Sequence, residues 1–109
     1  MYFARVGFPI PAPVGLTNAN VSFPASTTNV LAGDQDAACA GTVDLPTAPA
    51  GKVCVYVDQQ SANVTDMSAQ QVDGESTNQS KLGFAVQVTA TGGANDNVTA
   101  RGTWAYTAP

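Results

Sequence analysis

The 109-residue sequence contains no histidine. Histidine is the commonest general base at neutral pH and the commonest metal ligand, so its absence makes an enzyme the minority interpretation. The eight acidic residues leave carboxylate acid–base chemistry open, but no reaction motif accompanies them. Asp34 and Asp36 stand two apart, as at the start of a calcium loop, but the later glycine and glutamate of such a loop are missing. We therefore expect no catalytic residue, no cofactor and no metal site.

Charge is scarce as well. Lysine and arginine together number four, the net charge is −4, and charged residues make up 11% of the chain, against roughly 25% in typical domains. Four cations cannot form a basic patch that follows a phosphate backbone or an anionic membrane surface. No apolar run approaches the roughly 20 residues that cross a bilayer. The composition predicts no nucleic-acid partner and no membrane insertion.

Only two cysteines are present, Cys39 and Cys54. They are too few to hold a structural metal without histidine, and their spacing is not that of a Cys-x-x-Cys redox pair. Residues 39–51 between them contain two prolines and two glycines, which disfavour both helix and central strand. A disulfide closing this loose loop would stabilise the fold by roughly 3 kcal/mol, and we expect one. The alternative is a pair of reduced, buried cysteines.

The densest β-branched and aromatic run is residues 51–58. Val53, Val55 and Val57 alternate there with Cys54 and Tyr56, and successive side chains of a strand point to opposite faces. We expect a central strand whose valines face the core. Cys54, on the other face, is expected to lie beneath the loop of residues 39–51.

Seven short extended runs are separated by turn signals, and none has helical periodicity. They are residues 2–8, 20–23, 27–31, 51–58, 61–65, 82–90 and 98–107. This pattern predicts one all-β domain over residues 1–109, an antiparallel β-sandwich of about seven strands, jelly-roll-like or immunoglobulin-like, with one disulfide.

Residues 82–90 and 98–107 read as the clearest hairpin, joined by the turn-rich residues 91–97. Trp104 and Tyr106 are expected to be the largest side chains of the core. Residues 66–80 are polar and predict a long exposed loop with a turn at Asp73-Gly74. Such a loop either binds a ligand or is a solvent-exposed connection without a binding role.

Three prolines at positions 9, 11 and 13 follow the first predicted strand. Because proline cannot donate a ladder hydrogen bond, the run is expected to stop the sheet from growing. A ligand for an aromatic groove is the less favoured interpretation.

Four Asn-x-Ser/Thr sequons occur, at Asn20, Asn63, Asn78 and Asn97. In a eukaryotic secreted protein they would be candidate glycosylation sites. Three precede or lie inside predicted strands, which argues against the use of most of them. Enrichment of Asn and Thr on a β surface poor in charge also explains why as many as four such sequons occur.

Several motifs resemble a known bacterial domain. They are Cys39-Ala-Gly-Thr-Val, Pro49-Ala-Gly-Lys-Val-Cys-Val-Tyr, Leu82-Gly-Phe and the terminal Gly102-Thr-Trp-Ala-Tyr-Thr-Ala-Pro109. The chain resembles the C-terminal domain of uncharacterised exported proteins of actinobacteria and related bacteria, which often follows low-complexity or collagen-like repeats. It departs from the family pattern at Ala40, where proline is usual, and at Lys52, where asparagine is usual. The resemblance implies a secreted or cell-surface location and a paired Cys39 and Cys54, but no activity.

The favoured functional hypothesis is a non-catalytic extracellular head domain, structural or adhesive, at the end of a surface or fibre protein. Such a head is expected to form a homo-oligomer, and a trimer matches a three-chain stalk. The alternative is a carbohydrate-binding module that uses an exposed Tyr2, Tyr56 or Tyr106 with Asn and Asp side chains from residues 59–80. Its partner would be a glycan or another surface ligand. A third hypothesis is a viral or phage fibre component.

Overall fold

The computed structural model describes residues 2–71, 81, 83–92 and 97–109. Within these residues the chain forms six strands and two short 3₁₀ turns, Asn18–Asn20 and Ala32–Asp34. The strands are β1 (Tyr2–Gly7), β2 (Val21–Ser22), β3 (Lys52–Gln60), β4 (Val64–Gln71), β5 (Gly83–Ala90) and β6 (Ala100–Thr107). The turn expected at Asp73-Gly74 lies outside the described residues.

The strands form two three-stranded sheets with the orders β1–β5–β4 and β2–β3–β6. Their inner faces pack together around one apolar core, so the predicted all-β sandwich is confirmed. Pairing is antiparallel in β1–β5, β4–β5 and β3–β6. The two-residue strand β2 pairs with β3 in parallel. The sandwich is therefore not antiparallel throughout, although the sequence predicted an antiparallel one.

The core is built from alternate positions of the strands, as the period-two pattern predicts. Val53 is fully buried, and Val55 and Val57 pack against the core from the same face of β3. Among the described residues, nine buried side chains form the core: Leu16, Val21, Phe23, Val53, Val64, Met67, Phe84, Val86 and Val88. Phe23, Phe84 and Met67 are its largest fully buried members.

Trp104 and Tyr106 are only half-buried, so the expectation that they dominate the core is wrong. They lie on β6, which pairs with β3 on one side only, and an edge position leaves part of a large ring at the rim. Tyr106 stacks on Phe8 with ring centroids 5.0 Å apart, and Trp104 meets Phe84 edge-on at 5.4 Å. These rings cover the gap between the two sheets next to Phe8, just beyond the end of β1.

The expected hairpin of residues 82–90 and 98–107 does not form. β5 pairs with β1 and β4, whereas β6 pairs with β3 in the other sheet. The apolar faces of the two segments meet across the core instead of side by side, as the contact of Phe84 with Trp104 shows. Packed sheets lie about 10 Å apart, a gap that the nine residues between β5 and β6 span easily.

Residues 27–31 do not form the predicted strand. Asn29 has a φ of 60°, a left-handed conformation that asparagine tolerates better than most residues but that breaks an extended run. What remains is an isolated bridge between Val30 and Met67, in which the amide of Met67 donates to the carbonyl of Asn29.

Residues 64–71 form β4, so the loop predicted from residue 66 onwards is wrong up to Gln71. A register shift between Val64 and Asp66 explains the missed strand. It lets Val64 and Met67, three residues apart, both point inwards, and this spacing breaks the strict alternation expected of a strand.

Gly102 is held at a close approach between β6 and β3. A Cβ atom at this position would lie 2.0 Å from the carbonyl oxygen of Tyr56, next to the register shift between Val57 and Gln59. Backbone atoms cannot move aside as the end of a flexible side chain can. Position 102 therefore requires glycine.

We expect the Gly102→Ala substitution to lower the free energy of unfolding by about 2–3 kcal/mol, because the added methyl group forces the two strands apart. Urea denaturation followed by circular dichroism measures the change. Gly33→Ala is the matched control, since nothing lies within 4 Å of its added Cβ, and it should shift stability by less than about 0.5 kcal/mol. Equal effects of the two substitutions would contradict this account.

Candidate functional site

Residues 39–51, called here the covering segment, lie over the outer face of β3. A disulfide joins Cys39 to Cys54 with their Cα atoms 5.6 Å apart. Cys54 is fully buried and forms a second apolar cluster with Cys39 and Tyr56, against which Val43 and Ala48 pack. The expected pairing, and the expected place of Cys54 beneath this segment, are both confirmed.

Tyr56 is the second attachment point of the covering segment. Its hydroxyl accepts a hydrogen bond from the amide of Gly41 (2.9 Å) and donates one to the carbonyl of Thr47 (2.5 Å). Gly41 has no room for a side chain, because a Cβ there would lie 2.6 Å from the amide nitrogen of Thr47. Tyr56 thus satisfies two backbone groups that a proline-rich segment cannot pair by itself.

Two threonines of β6 hold the same segment from the neighbouring strand. The hydroxyl of Thr103 donates to the carbonyl of Val43 (2.7 Å), and that of Thr107 to the carbonyl of Ala48 (2.8 Å). These contacts were not predicted. The signal for them was the alternation in β6, which puts both threonines on the face away from Trp104.

Asp36 and Lys52 form an ion pair beside the covering segment, with Oδ2 and Nζ 2.6 Å apart. The other carboxylate oxygen of Asp36 accepts a hydrogen bond from the amide of Ala38 (2.9 Å). The Lys52 hydrogen bond and then the Ala38 amide lower the pKa of Asp36 below its usual 3.8. Both oxygens of Asp36 thus accept hydrogen bonds from protein groups.

A polar cleft of about 410 Å³ opens beside the covering segment, a volume within the range of small-molecule sites. Three parts of the chain wall it: residues 24–28, residues 41–43 and the second half of β3. Its lining is Pro24, Ser26, Thr27, Thr28, Gly41, Thr42, Val43, Tyr56, Val57, Asp58, Gln59 and Gln60. Hydroxyl and amide groups dominate this set, which suits a neutral, hydrogen-bonding ligand.

Part of the cleft wall is fixed by internal hydrogen bonds. Gln60 accepts from the side chain of Asn29 (2.7 Å) and donates to the hydroxyl of Thr28 (3.3 Å). Within the described residues, no protein group hydrogen-bonds to the side chains of Ser26 and Gln59, and both are exposed. The cleft therefore has one wall that is fixed by internal hydrogen bonds, and the side chains of Ser26 and Gln59 offer donors and acceptors that a ligand could use.

The charge in the cleft is Asp58, whose Oδ2 lies 3.2 Å from Nε of Arg101. The two side chains are 49% and 67% exposed, so water screens the pair and its contribution to stability is small. The carboxylate of Asp58 in the cleft is therefore already paired with the guanidinium of Arg101. Its electrostatics favour neither a strongly anionic nor a strongly cationic ligand.

Tyr56 and Tyr106 were expected to be candidate exposed rings for a sugar, and the structure corrects this. Tyr56 is only 3% exposed, under the covering segment, and Tyr106 is half-buried against Phe8. The side chain of Tyr2, the third candidate, is not among those the structure describes. A sugar in the polar cleft would rely on hydrogen bonds more than on stacking.

The sequons have different surroundings. Asn97 is exposed, whereas Asn63 donates to the carbonyl of Asn97 (3.1 Å) and accepts from the hydroxyl of Ser61 (2.6 Å). Asn20 ends a 3₁₀ turn and accepts from the amide of Thr17 (2.9 Å). Asn78 lies outside the described residues. Of the three described sites, Asn97 is the most accessible acceptor.

The described part of the chain contains no group of three or more histidine, cysteine or acidic side chains that could hold a metal ion. It also contains no helix long and apolar enough to cross a membrane.

Comparison with known proteins identifies no relative. No protein-family model, no curated protein and no solved structure matches the chain.

Replacing both cysteines tests the role of the disulfide. We expect the Cys39→Ala/Cys54→Ala variant to lose about 2–5 kcal/mol of unfolding free energy, because the unfolded chain regains the entropy of the open loop. Urea denaturation with and without reductant measures it. Reductant should bring the wild type to the level of the variant and leave the variant unchanged; a wild type unaffected by reductant under denaturing conditions would show that the bond is absent.

The ion pair predicts a pH dependence of stability. The pKa of Asp36 is lowered in the folded state, so its contribution is complete above the unfolded value near 3.8 and is lost as the pH falls through the lower folded value. We expect Asp36→Asn to cost up to about 1 kcal/mol at pH 7, and the difference from wild type to shrink below about pH 3.8.

Denaturation curves collected between pH 2 and pH 7 measure this difference. Asp44→Asn is the matched control, because it removes the same charge from an exposed aspartate that makes no ion pair in the described part of the chain. It should leave stability nearly unchanged at neutral pH. A constant difference between wild type and Asp36→Asn across the whole range would refute the assignment.

Proposed function

We propose that this chain is a non-catalytic extracellular domain that serves as the structural or adhesive head of a surface or fibre protein. The observation that carries the proposal is the covering segment, fastened by a disulfide to a small β-sandwich. Structural disulfides persist in oxidising surroundings such as the cell exterior. The low charge of the chain and its resemblance to the C-terminal domain of exported bacterial proteins support the same location.

Exposed apolar side chains support a role in contacts with other chains. Ile10 and Val14 flank the second half of the proline run and are 78% and 55% exposed. Beyond β1 this segment bends at Ile10 and Val14, and no described strand pairs with it there, because the prolines end the ladder. It offers a surface on which copies of the domain would meet as a homo-oligomer, with a trimer expected for a stalked head, bacterial or viral.

A carbohydrate-binding module is the second candidate, and the polar cleft favours it. Sugar hydroxyls need donors and acceptors in fixed positions, and the cleft supplies Ser26, Thr28 and Gln59 next to the Gln60 and Asn29 pair. One domain can be both an adhesive head and a sugar-binding module, because a head that adheres to a glycan needs a cleft of this kind. The two candidates differ in assembly state and in ligand.

Multi-angle light scattering tests the head hypothesis. The wild type should elute with three times the chain mass of 11.1 kDa, and Ile10→Ser/Val14→Ser should shift the protein towards monomer because it removes apolar contact area. Leu31→Ser is the control, since Leu31 is similarly exposed at 63% but lies outside the proline run. A wild type that stays monomeric at high concentration contradicts the oligomeric head.

A glycan array tests the second candidate. Binding should be lost or fall at least ten-fold in Gln59→Ala, which removes hydrogen bonds to the sugar (about 1.4 kcal/mol per ten-fold). Gln87→Ala removes the same side chain from β5, outside the lining of the cleft, and serves as the control. No bound glycan, or equal binding by both variants, excludes the cleft as a sugar site.

A further inference from the structure

An apolar cavity of about 140 Å³ lies between the two sheets, separate from the polar cleft. Aliphatic and aromatic side chains from both sheets line it, and the rings of Phe84 and Trp104 in its wall are inclined at 75° to one another. The lining is Ala4, Val6, Phe23, Val55, Val57, Met67, Phe84, Val86, Val88, Ala100, Arg101, Gly102, Thr103 and Trp104.

The polar residues in this lining direct their functional groups elsewhere. Arg101 pairs with Asp58 on the other side of β6, and the hydroxyl of Thr103 donates to the covering segment. No described side chain therefore offers a charge or a hydrogen bond to the interior of the cavity. A charged or strongly polar molecule would lose its hydration there without replacement, which is costly.

The entrance lies between β1 and β6. These strands pair with β5 and β3 and not with each other, so no backbone hydrogen bond seals the seam between them. Ala4 of β1 and Ala100 of β6 line the cavity and are exposed, so small side chains stand where it meets solvent. A small molecule can enter there without unfolding either sheet.

We propose that this cavity is a binding site for a small, neutral, apolar molecule, aromatic or short aliphatic, of about the size of benzene. Apolar cavities of about this volume bind such molecules. A ligand would restore the dispersion contacts that the lining lacks. The inference is independent of the proposed function and of the polar cleft.

Benzene is the probe, and Trp104 is the reporter, since it lines the cavity and is the only tryptophan of the chain. Benzene should change the tryptophan emission in a saturable manner. At ten times its Kd it should raise the Tm by about 5–10 °C, because it binds only the folded state. Benzoate, which adds a charge to the same ring, should bind at least ten-fold more weakly.

Two substitutions that fill the cavity from its entrance, Ala100→Leu and Ala4→Leu, should each weaken benzene binding at least ten-fold while circular dichroism confirms the fold. Ala108→Leu adds the same side chain at an exposed position outside the cavity and should bind benzene as the wild type does. Use of two filling variants guards against misfolding of one.

Three results would overturn the proposal. The first is a wild type whose emission and Tm do not respond to benzene up to its solubility. The second is an equal rise of the Tm in the wild type and in both filling variants, which would indicate a nonspecific effect. The third is benzoate binding as tight as benzene binding, which would mean that a cation faces the site and that the ligand class is different.

Discussion

The attachment of the covering segment to the outer face of β3 is the constraint on which the rest of the structure depends. A segment with two prolines and two glycines cannot form its own hydrogen-bonded ladder, so side chains must hold it. The disulfide of Cys54 and the hydroxyl of Tyr56 do so from neighbouring positions of one strand face. Without that segment, the apolar outer face of β3 would be exposed and the polar cleft would lose one wall.

Alternation along the chain allowed the faces of the strands to be predicted, but not their partners. Val53, Phe84, Val86 and Val88 all point inwards as expected. Which strands pair depends on contacts distant in sequence, and β5 and β6 belong to different sheets although they are neighbours along the chain. β4 was missed because its register shift removes the periodicity by which strands are recognised.

The site was harder to predict than the fold, and Tyr56 shows why. Alternation places it opposite the valines, a position that is exposed in a two-layer sandwich and buried if a third layer covers it. Only the fold of residues 39–51 decides whether Tyr56 is exposed or buried. In the structure these residues cover Tyr56, and its hydroxyl holds them in place through a hydrogen bond to Thr47. The polar cleft likewise joins residues 24–28, residues 41–43 and β3, which no local sequence pattern brings together.

β3 separates two environments of opposite character. Its valine face lines the apolar cavity at Val55 and Val57, while Tyr56, Asp58 and Gln59 line the polar cleft on the other side. Because side chains of a strand alternate, one nine-residue strand supplies both surfaces without any change of backbone course. The disulfide anchors this strand near its start and leaves its second half to serve both sites. A small domain poor in charge thereby presents a polar and an apolar concave surface on the two faces of one strand.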